Sequence, residues 1–366
     1  MVTRQASAYA RDIRPLLTRE EFAPARTRLL WLPVHLSVIV GGLLLLSAHQ
    51  LPWLVCLGMS LVMGASFAGL TFLGHETLHG AIVRSVAWRR VIGWIGFLPF
   101  VVSPRLWEAW HNRVHHGHTQ RAGTDPDAYP TLGEYHESRV VRAGVGYAPG
   151  RNRLRGATSL LIGFSVQSAH MLVGARRRGF LKPAEHRRAI AETLLGVAVW
   201  AVVAWLVGPM AFLFGYALPL LVANVVVMSF ILTNHSLSPL TDVNDPLLNS
   251  LSGTGPRWFE WVTLGFGYHV EHHLFPAMSA RHHGKLRDIL QVKWPAHYQS
   301  LPLWRALRAL HRSARVYDTP TTLVDPKSGL RWQTLAPRQT RTAPRVSGGV
   351  NDAGASLQKL ASSIVT

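Results

Sequence analysis

The sequence predicts an all-α integral membrane protein: four transmembrane helices in two hairpins, with a cytoplasmic helical cap that carries the chemistry. Three observations predict it. Of 366 residues 48% are hydrophobic, yet the formal net charge is +19, from 38 Lys and Arg against 19 Asp and Glu, so oily and cationic residues must be segregated. They are: no Lys or Arg occurs between Arg28 and Arg84, or between Arg188 and Arg257. Each of these windows holds a pair of apolar runs, and each run has about the 17 to 25 residues that a bilayer-spanning helix needs.

Taken in order, residues 1–29 form a basic N-terminal segment, and residues 30–47 and 51–73 form the first hairpin around a tip at Ala48, His49 and Gln50. The first run is too long for a cleavable signal peptide and is followed almost at once by a second. Residues 74–188 belong to the cap. Within it, residues 91–102 are apolar but too short to span, which suits a re-entrant or interfacial segment. Residues 157–175 are interrupted by Ser159, Gly163, Ser165, Gln167, Ser168 and His170. They read as an amphipathic helix on the membrane surface anchored by Arg176, Arg177 and Arg178, a fifth span being the other option. The second hairpin uses residues 189–207 and 210–232 around Gly208 and Pro209, and residues 233–324 complete the cap of a membrane domain covering 30–324. From 325 to 366 the chain is rich in Pro, Gly, Ser, Thr, Gln and Arg without apolar periodicity, the composition of a disordered tail. Basic residues collect on the cytoplasmic side of membrane proteins, so both termini and the cap are expected there, with the tips facing outward.

Composition excludes several classes. The hydrophobic fraction rules out a wholly disordered chain, and the single cysteine, Cys56, rules out a disulfide framework, a four-cysteine zinc site and an intrinsic iron–sulfur cluster. Cys56 itself lies in a span as a small apolar packer. No nucleic-acid-binding motif accompanies the arginines, so topology accounts for the charge and nucleic acid is not an expected partner.

Nineteen histidines remain to be explained. Three clusters stand out: His75 and His79; His111, His115 and His116; His269, His272 and His273. At this histidine content an HxxxH pattern is expected about once by chance, but an HxxxHH or HxxHH pattern only about 0.05 times each, so the two longer clusters carry the signal. An i, i+4 spacing puts both rings of the first cluster on one helix face, within roughly 10 Å of the bilayer if the second span continues. Adjacent histidines differ by about 100° around a helix, so His115/His116 and His272/His273 can address two different metals. His235, directly after the fourth span, is a further candidate. Eight or nine imidazoles are too many for one four-coordinate zinc. Imidazole suits iron, copper, zinc and nickel, and iron is favoured if the task is oxygen activation. Glu76, Asp125, Asp127, Glu271 and Asn234 are candidates to orient the rings from behind.

These residues resemble a known family. The strings around Gly74–Gly80, His115–Thr119 followed by Asp125 and Asp127, and Gly267–Pro276 are similar to the membrane fatty acid desaturases and the related hydroxylases and ketolases, over roughly residues 30 to 290. The resemblance implies a histidine-ligated, non-haem di-iron centre that uses O2 and two electrons to introduce a C=C bond into an acyl chain. It implies His75, His79, His111, His115, His116, His269, His272 and His273 as ligands, with His235 as the ninth. It also implies an acyl-lipid or acyl thioester substrate. The third cluster begins with His269 where front-end desaturases often have glutamine, and no fused cytochrome b5 segment is found. Electrons are therefore expected from a separate donor, ferredoxin-like or cytochrome b5-like, drawn to the basic face.

Other classes compete on parts of the pattern. The resemblance leaves a lipid hydroxylase or ketolase open. His75-Glu76-x-x-His79 matches the metalloprotease HExxH motif, but that reading leaves the other two clusters unused. A metal carrier needs an ion path, and only His35 and Glu192 interrupt the apolar windows at candidate positions. His49, His118, His136, His170, His186, His282, His283, His297 and His311 read as surface or supporting residues, with His118 the first to check against structure.

Overall fold

A computed structural model describes residues 3–150 and 153–337. It is mostly helical, and five helices are long and apolar enough to cross a membrane. They are α1 (Trp31–Ala48), α2 (Trp53–Leu78), α3 (Arg153–Gly174), α4 (Pro183–Val207) and α5 (Pro209–His235, with a π turn at Leu213–Ala217). The family of short apolar–aromatic contacts between them makes one core, with Phe67, Leu70, Phe72, Leu73, Phe97, Val227 and Phe230 near its centre.

Among the described residues the four expected runs are joined by a fifth helix of spanning length and hydropathy, in the segment read from sequence as a surface helix. Two of the polar residues that interrupt 157–175, Ser165 and Gln167, find partners on other elements. Ser165 donates its backbone N–H to Asn224 Oδ1 of α5 at 3.2 Å and accepts from Asn224 Nδ2 at 3.0 Å, and Gln167 donates to Asp127 Oδ1 at 2.7 Å. In a low-dielectric bundle such pairs hold helices together, so polar interruptions do not disqualify a span. Gly163 packs against Met228, where a Cβ would come within 2.8 Å of the methionine methyl.

Boundaries also move. α2 runs to Leu78, past the predicted end at 73; its 26 residues extend about 39 Å against a hydrocarbon core of about 30 Å, so the helix that packs the core also carries His75. Residues 91–102 fall in a broken pair, Val86–Phe100 and Pro104–His118, bent by 97°. The break has local causes. Val101 takes a left-handed conformation (φ 51°), and Ser103 then caps the next helix by accepting from Leu106 N, with Pro104 at its first position. Gly74 of α2 meets Gly96 of this pair so closely that a Cβ on Gly96 would sit 2.6 Å from the Gly74 Cα, which brings the bend against the end of α2.

The fold is not purely helical. β1 (Ser252–Thr254) pairs in parallel with β2 (Ser300–Pro302), and β3 (Tyr317–Thr319), β4 (Thr322–Val324) and β5 (Arg331–Gln333) form an antiparallel meander. Ordered structure thus continues past the expected tail start at 325. Pro326, Ser328 and Gly329, which look like disorder by composition, form the β4–β5 turn: Gly329 (φ 74°) donates to Asp325 O at 2.8 Å, and Asp325 N donates to Leu330 O at 2.9 Å. The rest of the predicted tail, 338–366, lies outside the described residues.

Candidate metal centre

The ends of α2 and α5 bring the chain's densest polar chemistry together. α2 supplies His75 and, as the residue that caps its C-terminus, His79, and α5 supplies His235. The second cluster rides on a π-helical stretch, Glu108–His115, in which His116 N donates to His111 O. This i→i+5 bond widens the turn and carries His116 round to the side of His111: their Nε2 atoms lie 3.2 Å apart. The third cluster occupies a short helix, His269–Leu274, whose first turn is anchored by Ser252 Oγ accepting from His269 N and Val270 N.

Nine rings sort into two groups, the first partly buried and the second fully buried. His75, His79, His111 and His272 place ring nitrogens within 4.8 Å of one another, and His115, His235, His269 and His273 do the same. His116 joins the first group through Nε2 contacts to His111 and to His272 at 3.1 Å. Adjacent histidines therefore divide, His116 and His272 to one group, His115 and His273 to the other. Convergent Nε2 pairs stand 3.1 Å apart between His75 and His272, 3.0 Å between His269 and His273 and 2.6 Å between His235 and His269. A neutral imidazole has one N–H, so such a crowd of nitrogens aimed at common points cannot be satisfied by mutual donation. Four or five nitrogens about 2.0–2.1 Å from a shared cation would lie roughly 3.0–3.4 Å apart, close to most of these separations. The donor set fits a first-row metal in each group.

Electrostatics points the same way. Burial first, then repulsion among the rings, holds His269, His272 and His273 well below their ordinary pKa, so these imidazoles are neutral and available as ligands. Behind the second group, His115 Nδ1 donates to Asp125 Oδ1 at 2.9 Å, His235 Nδ1 donates to the Asn249 carbonyl at 2.9 Å, and His273 Nδ1 lies 3.3 Å from Thr119 Oγ1. The His235 and His273 contacts fix the tautomer that leaves Nε2 free, whereas at His115 burial is outweighed by Asp125 and Asp127, which raise its pKa to about 9. Asp125 also accepts from Gln120 N at 2.7 Å; burial opposes its ionisation, but His115 holds its pKa below the carboxylate norm. Asp127 is pushed up to about 6 by burial and by neighbouring Asp125, against the pull of His115.

Of the supporting residues expected from sequence, Asp125 and Asp127 flank a ring, but Glu76 and Glu271 do not. Glu76 accepts from Ser279 Oγ at 2.5 Å and pairs with Arg28 Nε at 2.6 Å, tying α2 to other segments. It is therefore not poised beside His75 and His79 as a metalloprotease base. Glu271 accepts from Tyr298 at 2.5 Å and Ser252 at 2.7 Å, and burial pushes its carboxyl up to about 6. Asn234 is buried with neither side-chain atom hydrogen-bonded among the described residues. His118 is in neither group and lies 3.2 Å from the Val114 carbonyl through Nδ1. Sequence reasoning missed Thr119, Gln120 and the Asn249 carbonyl. Thr119 and Gln120 sit directly after the second cluster, and that adjacency was the available signal.

A cavity of ≈ 40 Å³, measured at water centres, touches both groups. Its apolar lining comes from Phe72, Phe97, Trp107, Trp110, Phe164, Val227, Ile231 and Phe266, and its polar lining from Thr71, Asp127, Asn234, His75, His111, His115, His235 and His269.

The family model for fatty acid desaturases matches residues 51–304, a span that contains all nine histidines. The chain belongs to the fatty acid desaturase family. An sn-1 acyl-lipid omega-3 desaturase (ferredoxin) from Synechocystis sp. is 24% identical over 301 residues, 73% of this chain and 77% of the relative. Desaturase membership makes the protein an oxidoreductase, and with five apolar helices a membrane one. β3–β5 lie beyond the matched span.

Proposed function

We propose that this desaturase-family protein is an O2-dependent acyl-lipid desaturase in which the nine histidines hold two iron ions, five imidazoles at one and four at the other. The observation that carries it is the pair of imidazole groups opening onto one mainly apolar cavity at the ends of apolar helices. The chemistry two bound irons supply is reductive activation of O2, strong enough to take hydrogen from an unactivated methylene. The balance is R–CH2–CH2–R′ + O2 + 2 e⁻ + 2 H⁺ → R–CH=CH–R′ + 2 H2O.

The protein's own part is placement. Phe72, Phe97, Trp107, Phe164 and Ile231 exclude water and press one pair of methylenes toward the imidazole end, and that positioning selects the bond. At ≈ 40 Å³ the cavity is smaller than an acyl chain, so the aromatic wall must part on binding. His115, His235 and His273 keep their Nε2 atoms aimed through bonds to Asp125, Asn249 and Thr119.

The relative's name, acyl-lipid desaturase (ferredoxin), supports a lipid-linked substrate and a separate protein electron donor here. The asymmetric placement of Lys and Arg supports a cytoplasmic histidine end, where that donor docks. Expression in a host lacking the activity, with lipid profiles compared against His115→Ala, tests the reading. A new double bond from the wild type alone is expected. Identical profiles from an iron-loaded wild type and the variant overturn desaturation, and an oxygenated product from the wild type alone turns the assignment to the hydroxylase or ketolase chemistry of the same family.

A further inference from the structure

Arg315 is almost fully buried, at 2% exposure, and among the described residues its hydrogen bonds go to two carbonyls and a hydroxyl, none to a carboxylate. A guanidinium out of water needs compensation, and here helix ends provide it for both Nη groups, while Nε has no partner among the described residues. One Nη donates to the carbonyl of Ser236, directly after the last residue of α5; the other donates to the Leu310 carbonyl at 3.2 Å, in the last turn of helix Leu303–Arg312, and to Ser313 Oγ. The final carbonyls of a helix lack intrahelical donors and carry partial negative charge, so a cation bridging two helix C-termini satisfies both.

The other carbonyls of this turn are met just as completely. His235 O accepts from Gln120 Nε2 at 2.7 Å, and Ser238 O accepts from Tyr317 at 2.6 Å and Gln120 Nε2 at 3.1 Å. Leu237 O accepts from Leu335 N at 2.8 Å, beyond β5, and Leu240 N donates to Pro320 O at 2.9 Å, in the turn between β3 and β4. The segment from His235 to Leu240 that leads out of α5 is thus gripped from one side by Gln120, just after the second histidine cluster, and from the other by residues 315–335, which lie outside the family-matched span.

We propose that Arg315, supported by Tyr317, is a positioning residue: it clamps the last turn of α5 so that His235 Nε2 stays aimed with His115, His269 and His273. The metal-loading half of the test rests on the two-ion reading above; the backbone half does not. Arg315→Met keeps bulk but removes charge and donors. In purified full-length protein, hydrogen exchange of residues 233–241 is expected to rise about tenfold in this variant while residues 53–78 stay unchanged. Iron retained after dialysis is expected to fall from about two to about one per chain, because loss of an orienting contact typically costs about 10–100-fold in metal affinity. Arg315→Lys, with charge but no fork, is expected to restore part of both. Tyr317→Phe, the milder change, should raise exchange in the same segment by about threefold, and it decides the matter if Arg315→Met does not fold. Unchanged exchange in 233–241, or a rise spread evenly over the molecule with both ions lost together, overturns the clamp. Fewer than two ions in the wild type would instead overturn the two-ion reading, leaving the exchange result to judge the clamp.

Discussion

The two imidazole groups use the same residue type and lie side by side, yet they are organised by different forces. The group of His115, His235, His269 and His273 is wired: three of its rings have an Nδ1 partner in Asp125, the Asn249 carbonyl or Thr119. The group of His75, His79, His111, His116 and His272 has no such partner among the described residues and is packed instead. Trp107 stacks on His111 at 4.3 Å and meets His75 edge-on at 4.9 Å and His79 at 5.2 Å, and Phe266 meets His75 at 5.0 Å. His79 Nε2 is left without a hydrogen bond. A hydrogen bond fixes both ring angle and tautomer, whereas an aromatic face fixes the angle alone. The wired group should therefore be formed before metal arrives, and the packed group should settle around its ion.

Asp125→Asn should break this contrast most strongly. Asp125 Oδ1 serves His115 and the backbone N–H of Asp127, and Oδ2 serves Gln120 N at 2.7 Å. An amide there keeps the first two contacts only by pointing its NH2 at the Gln120 N–H, donor against donor. We expect iron affinity of the wired group to fall about 10–100-fold, the packed group to change little, and product formation to fall with occupancy. Stepwise iron titration of the apoprotein measures this; equal weakening of both groups would refute the division.

Trp107→Leu is the reciprocal change and the next in size. It removes the ring that three members of the packed group lean on, while leaving every Nδ1 contact of the wired group in place. Offset and edge-on ring contacts are each worth about 0.5–1.5 kcal/mol beyond their burial, so about tenfold weaker binding at the packed group is expected. The same titration should show the wired group unmoved.

How much of this was legible in the sequence follows from the range of the forces involved. The apolar windows and the histidine spacings are local, and they located four of the five apolar helices and all nine converging rings. Three features were not local. The π turn at Glu108–His115 departs from the ideal helix on which the spacing argument rests. The span at 153–174 looked amphipathic because Ser165 and Gln167 find their partners, Asn224 and Asp127, elsewhere in the chain. The choice of Asp125 over Glu76 as a ring partner turns on contacts to Arg28 and Ser279 that only the fold creates. Arg315, some 80 positions from Ser236, left no mark on any local pattern.

Thr119→Val offers the smallest effect and the finest test of wiring against packing. The Thr119 hydroxyl donates to the His115 carbonyl at 2.8 Å and so turns a lone pair toward His273 Nδ1 at 3.3 Å. Valine has nearly the same shape, so packing around His273 is preserved while the acceptor is lost. His273 Nδ1–H then has no acceptor in a fully buried position, and the alternative tautomer, with the proton on Nε2, gains weight. That tautomer must be abandoned before Nε2 can bind an ion. The loss of one neutral hydrogen bond, at about 0.5–1.5 kcal/mol, corresponds to roughly 2- to 12-fold in iron affinity. The longish contact places the expectation near the low end, about threefold. ¹⁵N NMR of the apoprotein reads the tautomer directly: a His273 signal that moves toward the Nε2–H form supports wiring. An unmoved signal together with unchanged iron affinity would mean that packing alone orients this ring, and that the two groups differ less than their hydrogen bonds suggest.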